Sequence, residues 1–194
     1  PGGAVDELYL RILRQATRTF LEDIAHRSDL LDPVLEVGPM TQAGVNKGVF
    51  SRMPETFLDS RELFEGQGHR FLSLDLDPTA QPDLCCDFMA LEHHVEPSSL
   101  GAVVLLSVIE HIPQIWAIPG LLRNVLKPGG RAFILTPWNL RFHGPRPDCW
   151  RLSDDGYRAL FSDTSGLIIE SLDAIPCPGR SLSPVGFTAV LHRP

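Results

Sequence analysis

Four short apolar runs in this chain each end in residues that can bind a polar ligand or move a proton. Val34 to Val37 carries Glu36 and runs into Gly38. Phe71 to Leu74 ends in Asp75, with Asp77 two residues on. Asp83 to Cys86 leads to Asp87 and Phe88, and Ala102 to Leu106 leads to Ser107-Val-Ile-Glu-His111. If each run is a strand of one parallel sheet, these groups collect at a single edge, where open α/β sheets bind ligands. A glycine at the first strand end lets a ligand approach the backbone, because no side chain intervenes. A carboxylate at the second strand end can accept hydrogen bonds from both hydroxyls of a ribose. Asp75 is preferred because it ends the apolar alternation directly; Asp77 is its rival.

Two histidines are candidates for proton transfer. An unperturbed imidazole titrates near neutral pH, which suits a general base. His111 follows the fourth strand. His143 lies in the loop Trp138-Asn-Leu-Arg-Phe-His-Gly-Pro-Arg-Pro-Asp-Cys-Trp-Arg151. In that loop Trp138 and Trp150 offer flat apolar walls. Asp148 and Arg151 offer opposite charges, either as an ion pair that shapes the loop or as contacts to a polar ligand. His93 and His94 read as an exposed turn pair with no further ligands nearby in sequence. Cys85, Cys86, Cys149 and Cys177 form no CxxC pair. These spacings predict no metal site. A GxGxxG fingerprint is also absent, which argues against a nicotinamide enzyme.

The elements that must position these groups alternate between strand and helix. Leu8, Ile12, Leu13, Ala16, Phe20, Leu21 and Ile24 recur at helical spacing, predicting a helix from Val5 to about His26. Asp6 and Glu7 suit its amino end. Thr41 to Phe57 carries Gly44, Gly48 and Pro54 and reads as a loop with a short helix. A second helix is expected over Ser60 to Gly66, with Leu63 and Phe64 inward. A third is expected over Ile115 to Leu126, with Leu121, Leu122 and Val125 inward. Lys127-Pro-Gly-Gly130 reads as a turn before a fifth strand, Arg131 to Leu135. Ser153 caps a last helix to Phe161. Leu167 to Leu172 and Val185 to His192 read as the final strands.

The chain has 194 residues, enough for one sizeable core. It is 43% hydrophobic and 21% charged, with a formal net charge of −7. That balance argues against a nucleic-acid backbone as partner, which needs a basic face. No apolar run reaches the roughly 20 residues needed to cross a bilayer, and no signal peptide is visible. Adjacent cysteines such as Cys85 and Cys86 are poor disulfide partners, so reduced thiols and a cytoplasmic setting are expected.

The order Glu36-Val-Gly38, Asp75, Asp87-Phe88, Ser107-Val-Ile-Glu-His111 and Leu126-Lys-Pro-Gly-Gly130 resembles the class I (Rossmann-like) S-adenosylmethionine-dependent methyltransferases of the small-molecule type. One motif departs from that family: Pro39-Met40 stands where a second glycine is usual. The resemblance implies a doubly wound seven-stranded sheet, mostly parallel with an antiparallel last strand, and an added N-terminal helix. It implies one domain over 1–194, with 1–30 a helical cap and 31–194 the core. The cofactor it implies is S-adenosylmethionine, held by Glu36, Gly38, Asp75, Leu76, Asp87, Phe88 and Ser107. In that scheme Glu36 meets the methionine ammonium, Asp75 the ribose, and Asp87 the adenine amino group, with Phe88 against the ring. Asp87 has a second reading, as a cap on the turn toward Leu91. Glu110-His111 would sit beside the transferred methyl, and the Trp138–Arg151 loop would wall the acceptor site. The implied catalytic residues are His111 and His143, and the acceptor-side residues are Trp138, Asp148, Trp150 and Arg151. The implied reaction is methyl transfer to a small polar metabolite, at oxygen. The alternative is a protein of the same fold that binds the cofactor without turnover and serves as a regulatory or partner subunit. Oligomeric state is left open.

Overall fold

The computed structural model describes residues 2–39, 58–179 and 183–194. The expected loop and short helix at Thr41 to Phe57 lie outside them. Helix α1 spans Gly2–Ala25, α2 Ser60–Gly66, α3 Ile118–Val125 and α4 Asp154–Leu160. The strands are β1 Val34–Val37, β2 Phe71–Asp75, β3 Leu84–Cys85, β4 Leu100–Leu106, β5 Leu126–Pro137, β6 Ile168–Ile175 and β7 Gly186–His192. They form one sheet in the order β3-β2-β1-β4-β5-β7-β6. Neighbours from β3 to β5 pair parallel, and β7 runs antiparallel to both β5 and β6. From β1 the chain steps outward through β2 and β3, then crosses back to β4 on the other side. The reversal of strand order therefore falls between β1 and β4.

The two faces of the sheet are covered by different helices, as the alternation of side chains along a strand demands. Ala102 and Val104 of β4, with Phe133 of β5, pack with Leu21 and Ile24 of α1 and Phe64 of α2. Val103 and Leu105, with Ile134, pack against Leu121 and Leu122 of α3 and Tyr157 of α4. Both faces of β4 are thus buried, which is why its sequence is a continuous apolar run. Helix ends follow their local chemistry. Asp59 accepts from the Glu62 amide at the start of α2, and Ser153 accepts from Gly156 at the start of α4.

Several boundaries differ from the sequence expectation. Helix α1 begins at Gly2, so Asp6 and Glu7 fall beyond its first turn. Its inward face uses Tyr9 rather than Leu8, which is 45% exposed. The third helix starts as a 3-10 turn, Ile115–Ala117, before the α-helix takes over at Ile118. The third strand shrinks to two residues, and β6 runs on to Ile175. Lys127 to Gly130 is an irregular stretch inside β5: Leu100 pairs with Leu126, and the ladder with β4 resumes only at Ala102 and Arg131. Gly129, at φ +79°, absorbs that register shift.

Gly101 sits at this irregularity with no room for a side chain. A Cβ there would lie 2.0 Å from the Leu31 carbonyl oxygen. Backbone cannot swing aside as a flexible side chain can, so Gly101→Ala is expected to destabilise the protein by about 3 kcal/mol. A urea unfolding midpoint unchanged from wild type would contradict this.

Candidate active site

The register between strands decides which groups meet. Val37 of β1 lies beside Leu74 of β2 and Leu105 of β4, so these strands end at one level. Asp75 pairs with Cys85 of β3, and Asp87 follows two residues later. The tips of β1, β2, β3 and β4 therefore bring Gly38, Asp75, Asp87 and Ser107 to one edge, at the reversal of strand order.

Gly38 has φ +63°, a region that side chains disfavour. Its amide donates to Leu74 O at 2.8 Å. A Cβ on Gly38 would find Val108 Cγ2 at 4.0 Å and nothing closer among the described residues. Backbone conformation, more than crowding, calls for glycine there. Ser107 is also at positive φ, +57°, and its amide donates to Leu135 O across the sheet.

The acidic residues differ in their commitments. Asp77 accepts from both the amide and the hydroxyl of Thr79 and so caps the 3-10 turn Pro78–Ala80. Among the described residues Asp75 accepts only a local amide bond from Asp77, at 2.8 Å, and beside it Leu76 is 70% exposed. Of the two rivals, Asp75 is the more available for a ligand. Asp87 is exposed and accepts from the Met89 amide at 2.9 Å, capping the turn Phe88–His93. Phe88 is 4% exposed and packed in the core with Leu91. Its ring is therefore not an open stacking surface, contrary to the sequence expectation. The ring turned inward because the 3-10 turn places Phe88 and Leu91 on one side.

Glu36 is 2% exposed, and its Oε2 has no hydrogen-bond partner among the described residues. Burial pushes its carboxyl up to about 7; the adjacent Ser60 hydroxyl opposes the shift and Asp59 adds to it. A raised carboxyl binds its proton more tightly in the folded chain than in the unfolded one. Stability of the ligand-free protein is then expected to fall as pH rises from about 4.5 through 7, by on the order of 3 kcal/mol. Comparing urea unfolding of wild type and Glu36→Gln across that range isolates the contribution. Parallel pH profiles for the two proteins would refute it.

The Trp138–Arg151 loop folds back against the turn that follows β4. Cys149 and Trp150 amides donate to Glu110 O at 2.8 and 3.2 Å, and Trp150 Nε1 donates to Ile112 O at 2.9 Å. Glu110 and His111 lie on the 3-10 turn Ile109–His111. The loop thereby carries His143 to His111, with ring centroids 4.9 Å apart and planes at 75°. Their Nε2 atoms stand 3.7 Å (His143) and 3.9 Å (His111) from Glu110 Oε1. Glu110 itself is 1% exposed. The Glu110 carboxylate, with Asp148 behind it, raises His143 above its ordinary value against the opposing effect of burial.

Asp148 and Arg151 form an ion pair, with Arg151 donating to the two carboxylate oxygens at 2.5 and 2.9 Å. Arg151 holds the Asp148 carboxyl well below the usual carboxylate range. Asp148 also accepts from the His143 amide at 2.9 Å, and Arg151 donates to Leu140 O and Arg141 O. The loop-shaping role of this pair is thus visible in its bonds. Trp138 meets Phe187 edge-on and, like Trp150, packs partly buried against the core. The resemblance sets Glu110 beside the transferred methyl together with His111 but gives it no role of its own. The signal for it was present in Ile109-Glu-His111, where a lone acid follows an apolar strand.

No family model matches the chain, and no curated protein matches it in sequence. Solved structures do match in shape. An S-adenosylmethionine-dependent methyltransferase from Archaeoglobus fulgidus, 10% identical, superposes over 92% of this chain and 94% of its own with a TM-score of 0.65. The [4+2]-cyclase SpnF, 11% identical, covers 93% of this chain and 82% of its own, TM-score 0.60. The 1,6-didemethyltoxoflavin-N1-methyltransferase of Burkholderia thailandensis was solved with 1,6-didemethyltoxoflavin and S-adenosylhomocysteine bound. It is 14% identical and covers 97% of this chain and 90% of its own, TM-score 0.54. By sheet order, the antiparallel β7 and these superpositions, the chain has the Rossmann-like fold of the class I S-adenosylmethionine-dependent methyltransferases.

Proposed function

We infer that this protein binds S-adenosylmethionine across the tips of β1 to β4 and catalyses methyl transfer to the oxygen of a small polar metabolite. The observation that carries the reading is the convergence of Gly38, Asp75, Asp87 and Ser107 at the strand-order reversal, next to a buried acid with an orphaned oxygen. Asp75 would accept from the ribose hydroxyls and Asp87 from the adenine amino group, with Leu76 offering an apolar contact and the Phe88 amide a donor. Glu36 would take the methionine ammonium, which supplies the positive charge its buried carboxylate lacks.

Bound there, the sulfonium supplies a methyl carbon: the new bond to the acceptor forms as the carbon–sulfur bond breaks, and the electron pair stays on sulfur. The protein's part is orientation and removal of the acceptor's proton. His111 lies on the turn after β4 and His143 packs against it, so their Nε2 atoms are the candidate bases, and Glu110 would stabilise the charge an imidazole gains. A hydroxyl acceptor needs such a base, whereas a neutral amine does not, which is the reason for reading oxygen. Trp138, Asp148, Trp150 and Arg151 would shape the acceptor side.

Residues 1–194 are read as one domain, with 1–30 its helical cap. No helix among the described residues is long and apolar enough to cross a membrane, and the free cysteines fit a reducing cytoplasm. A second reading is a cofactor-binding protein without turnover. It is favoured by Pro39-Met40 in place of a glycine and by the cyclase SpnF sharing the fold. Calorimetric titration with S-adenosylhomocysteine tests the common premise: one-to-one binding is expected, and a folded protein that takes none refutes both readings. Methyl transfer from labelled cofactor to a panel of hydroxylated metabolites then separates them.

A further inference from the structure

Glu110 is buried to 1% exposure, yet neither of its carboxylate oxygens has a hydrogen-bond partner among the described residues. The nearby Arg151 guanidinium pairs with Asp148 and gives Glu110 no hydrogen bond among the described residues. What faces Oε1 instead is a pair of imidazole nitrogens, at 3.7 and 3.9 Å. Those separations are too long for hydrogen bonds. They are close to what three atoms show around one ion: ligands bonded at about 2.0–2.2 Å stand roughly 3–4 Å from one another. All three ligand atoms lie within 4.8 Å of each other.

The other ring nitrogens are turned the right way. His111 Nδ1 faces Pro147 O at 2.8 Å. His143 Nδ1 faces Arg141 O at 3.4 Å and Asp148 Oδ2 at 3.3 Å. His111 Nδ1 can donate to Pro147 O, and His143 Nδ1 to Asp148 Oδ2, although Arg151 Nη2 also stands 3.5 Å from that nitrogen; in the tautomer with both protons on Nδ1, each Nε2 keeps a lone pair on the side of Glu110 Oε1. Metal-binding histidines are oriented by such outer partners, a carboxylate behind one imidazole among them.

We propose that Glu110, His111 and His143 form a binding site for a first-row divalent transition ion, held by one carboxylate oxygen and two Nε2 atoms. Two imidazoles and a carboxylate suit zinc or ferrous iron and leave coordination positions open. Magnesium and calcium prefer all-oxygen sets and fit poorly. The histidine side chains are 23% (His143) and 11% (His111) exposed, so the site has access to solvent. The ion's use in catalysis rests on the methyl-transfer reading. With an ion held there, the imidazoles would serve as ligands rather than bases, and the ion would supply Lewis-acid help in lowering the pKa of an acceptor hydroxyl.

The test is titration of the purified, metal-stripped full chain with Co²⁺, followed by visible absorption, and with Zn²⁺, followed by calorimetry. One ion per chain is expected, with excess Mg²⁺ unable to displace it. His143→Ala and Glu110→Gln are each expected to lower affinity by about 100-fold or more, and Asp148→Asn by about tenfold. Circular dichroism establishes that each variant is folded. A folded wild type that binds neither ion, or affinities unchanged in both His143→Ala and Glu110→Gln, overturns the site. S-adenosylhomocysteine binding measured on the same samples keeps the two readings apart. Nucleoside binding without metal binding removes only the ion site, and metal binding without nucleoside binding removes only the methyl-transfer reading.

Discussion

Asp75→Ala is expected to weaken S-adenosylhomocysteine binding by about 100-fold while leaving the urea unfolding midpoint near that of wild type. Among the described residues the carboxylate has a single hydrogen bond, from the Asp77 amide at 2.8 Å. It is partly exposed at the end of β2, so its removal opens no cavity. Hydrogen bonds to a charged group contribute roughly 1.5–3 kcal/mol each. Two ribose hydroxyls on one carboxylate then amount to about 3 kcal/mol after allowance for water competing at the rim. That corresponds to roughly two decades in affinity. Asp75→Asn keeps acceptor capacity on one atom and is expected to fall between alanine and wild type. Asp77→Ala is the control: it removes a cap on Pro78–Ala80 and is expected to change affinity by about threefold or less. Equal losses from Asp75→Ala and Asp77→Ala would mean that the ribose is not held at Asp75.

The second large effect concerns His143. His143→Ala is expected to lower the rate of methyl transfer by about 10²–10⁴-fold, the range for removal of a positioned proton acceptor. S-adenosylhomocysteine affinity is expected to stay within about threefold, because the nucleoside contacts lie on other strand tips. The measurement is single-turnover transfer to whichever hydroxylated metabolite wild type methylates fastest. The effect is expected whether the imidazole removes the proton itself or holds an ion that does, and chelator sensitivity of wild type separates the two. His111→Ala should cost a similar factor, since both Nε2 atoms face the same Glu110 oxygen. Wild-type rates from both alanine variants would remove this loop from the chemistry.

Much of the architecture was legible from residue order. The runs Val34–Val37, Phe71–Leu74 and Ala102–Leu106 are short, apolar and followed by polar groups, so their strands and their common edge could be read directly. Helix α4 could be placed from Ser153 and the acids after it, because capping is local chemistry. Errors gathered where distant contacts decide. Tyr9 rather than Leu8 faces inward, a choice made by how α1 lies on the sheet. Lys127 to Gly130 looked like a turn, yet Arg193 reaches across to bond there, Gly129 N donating to Arg193 O and Arg193 N to Gly130 O. The Phe88 ring was read as open to a ligand and is buried, since local sequence does not say which side of a 3-10 turn meets the core.

The sequence by itself determined the alternation of strands and helices, the identity of the polar groups at each strand end, and the histidine- and tryptophan-containing loop. These follow from side-chain period, capping and backbone preference, all of which act within a few residues. Tertiary structure alone decided that Glu36 is buried, with one oxygen unpartnered among the described residues, and that His143 returns across 32 positions to face Glu110 and His111. Burial and proximity in space depend on how the whole chain closes around its sheet. No spacing along the chain encodes an electrostatic environment assembled from two separate segments.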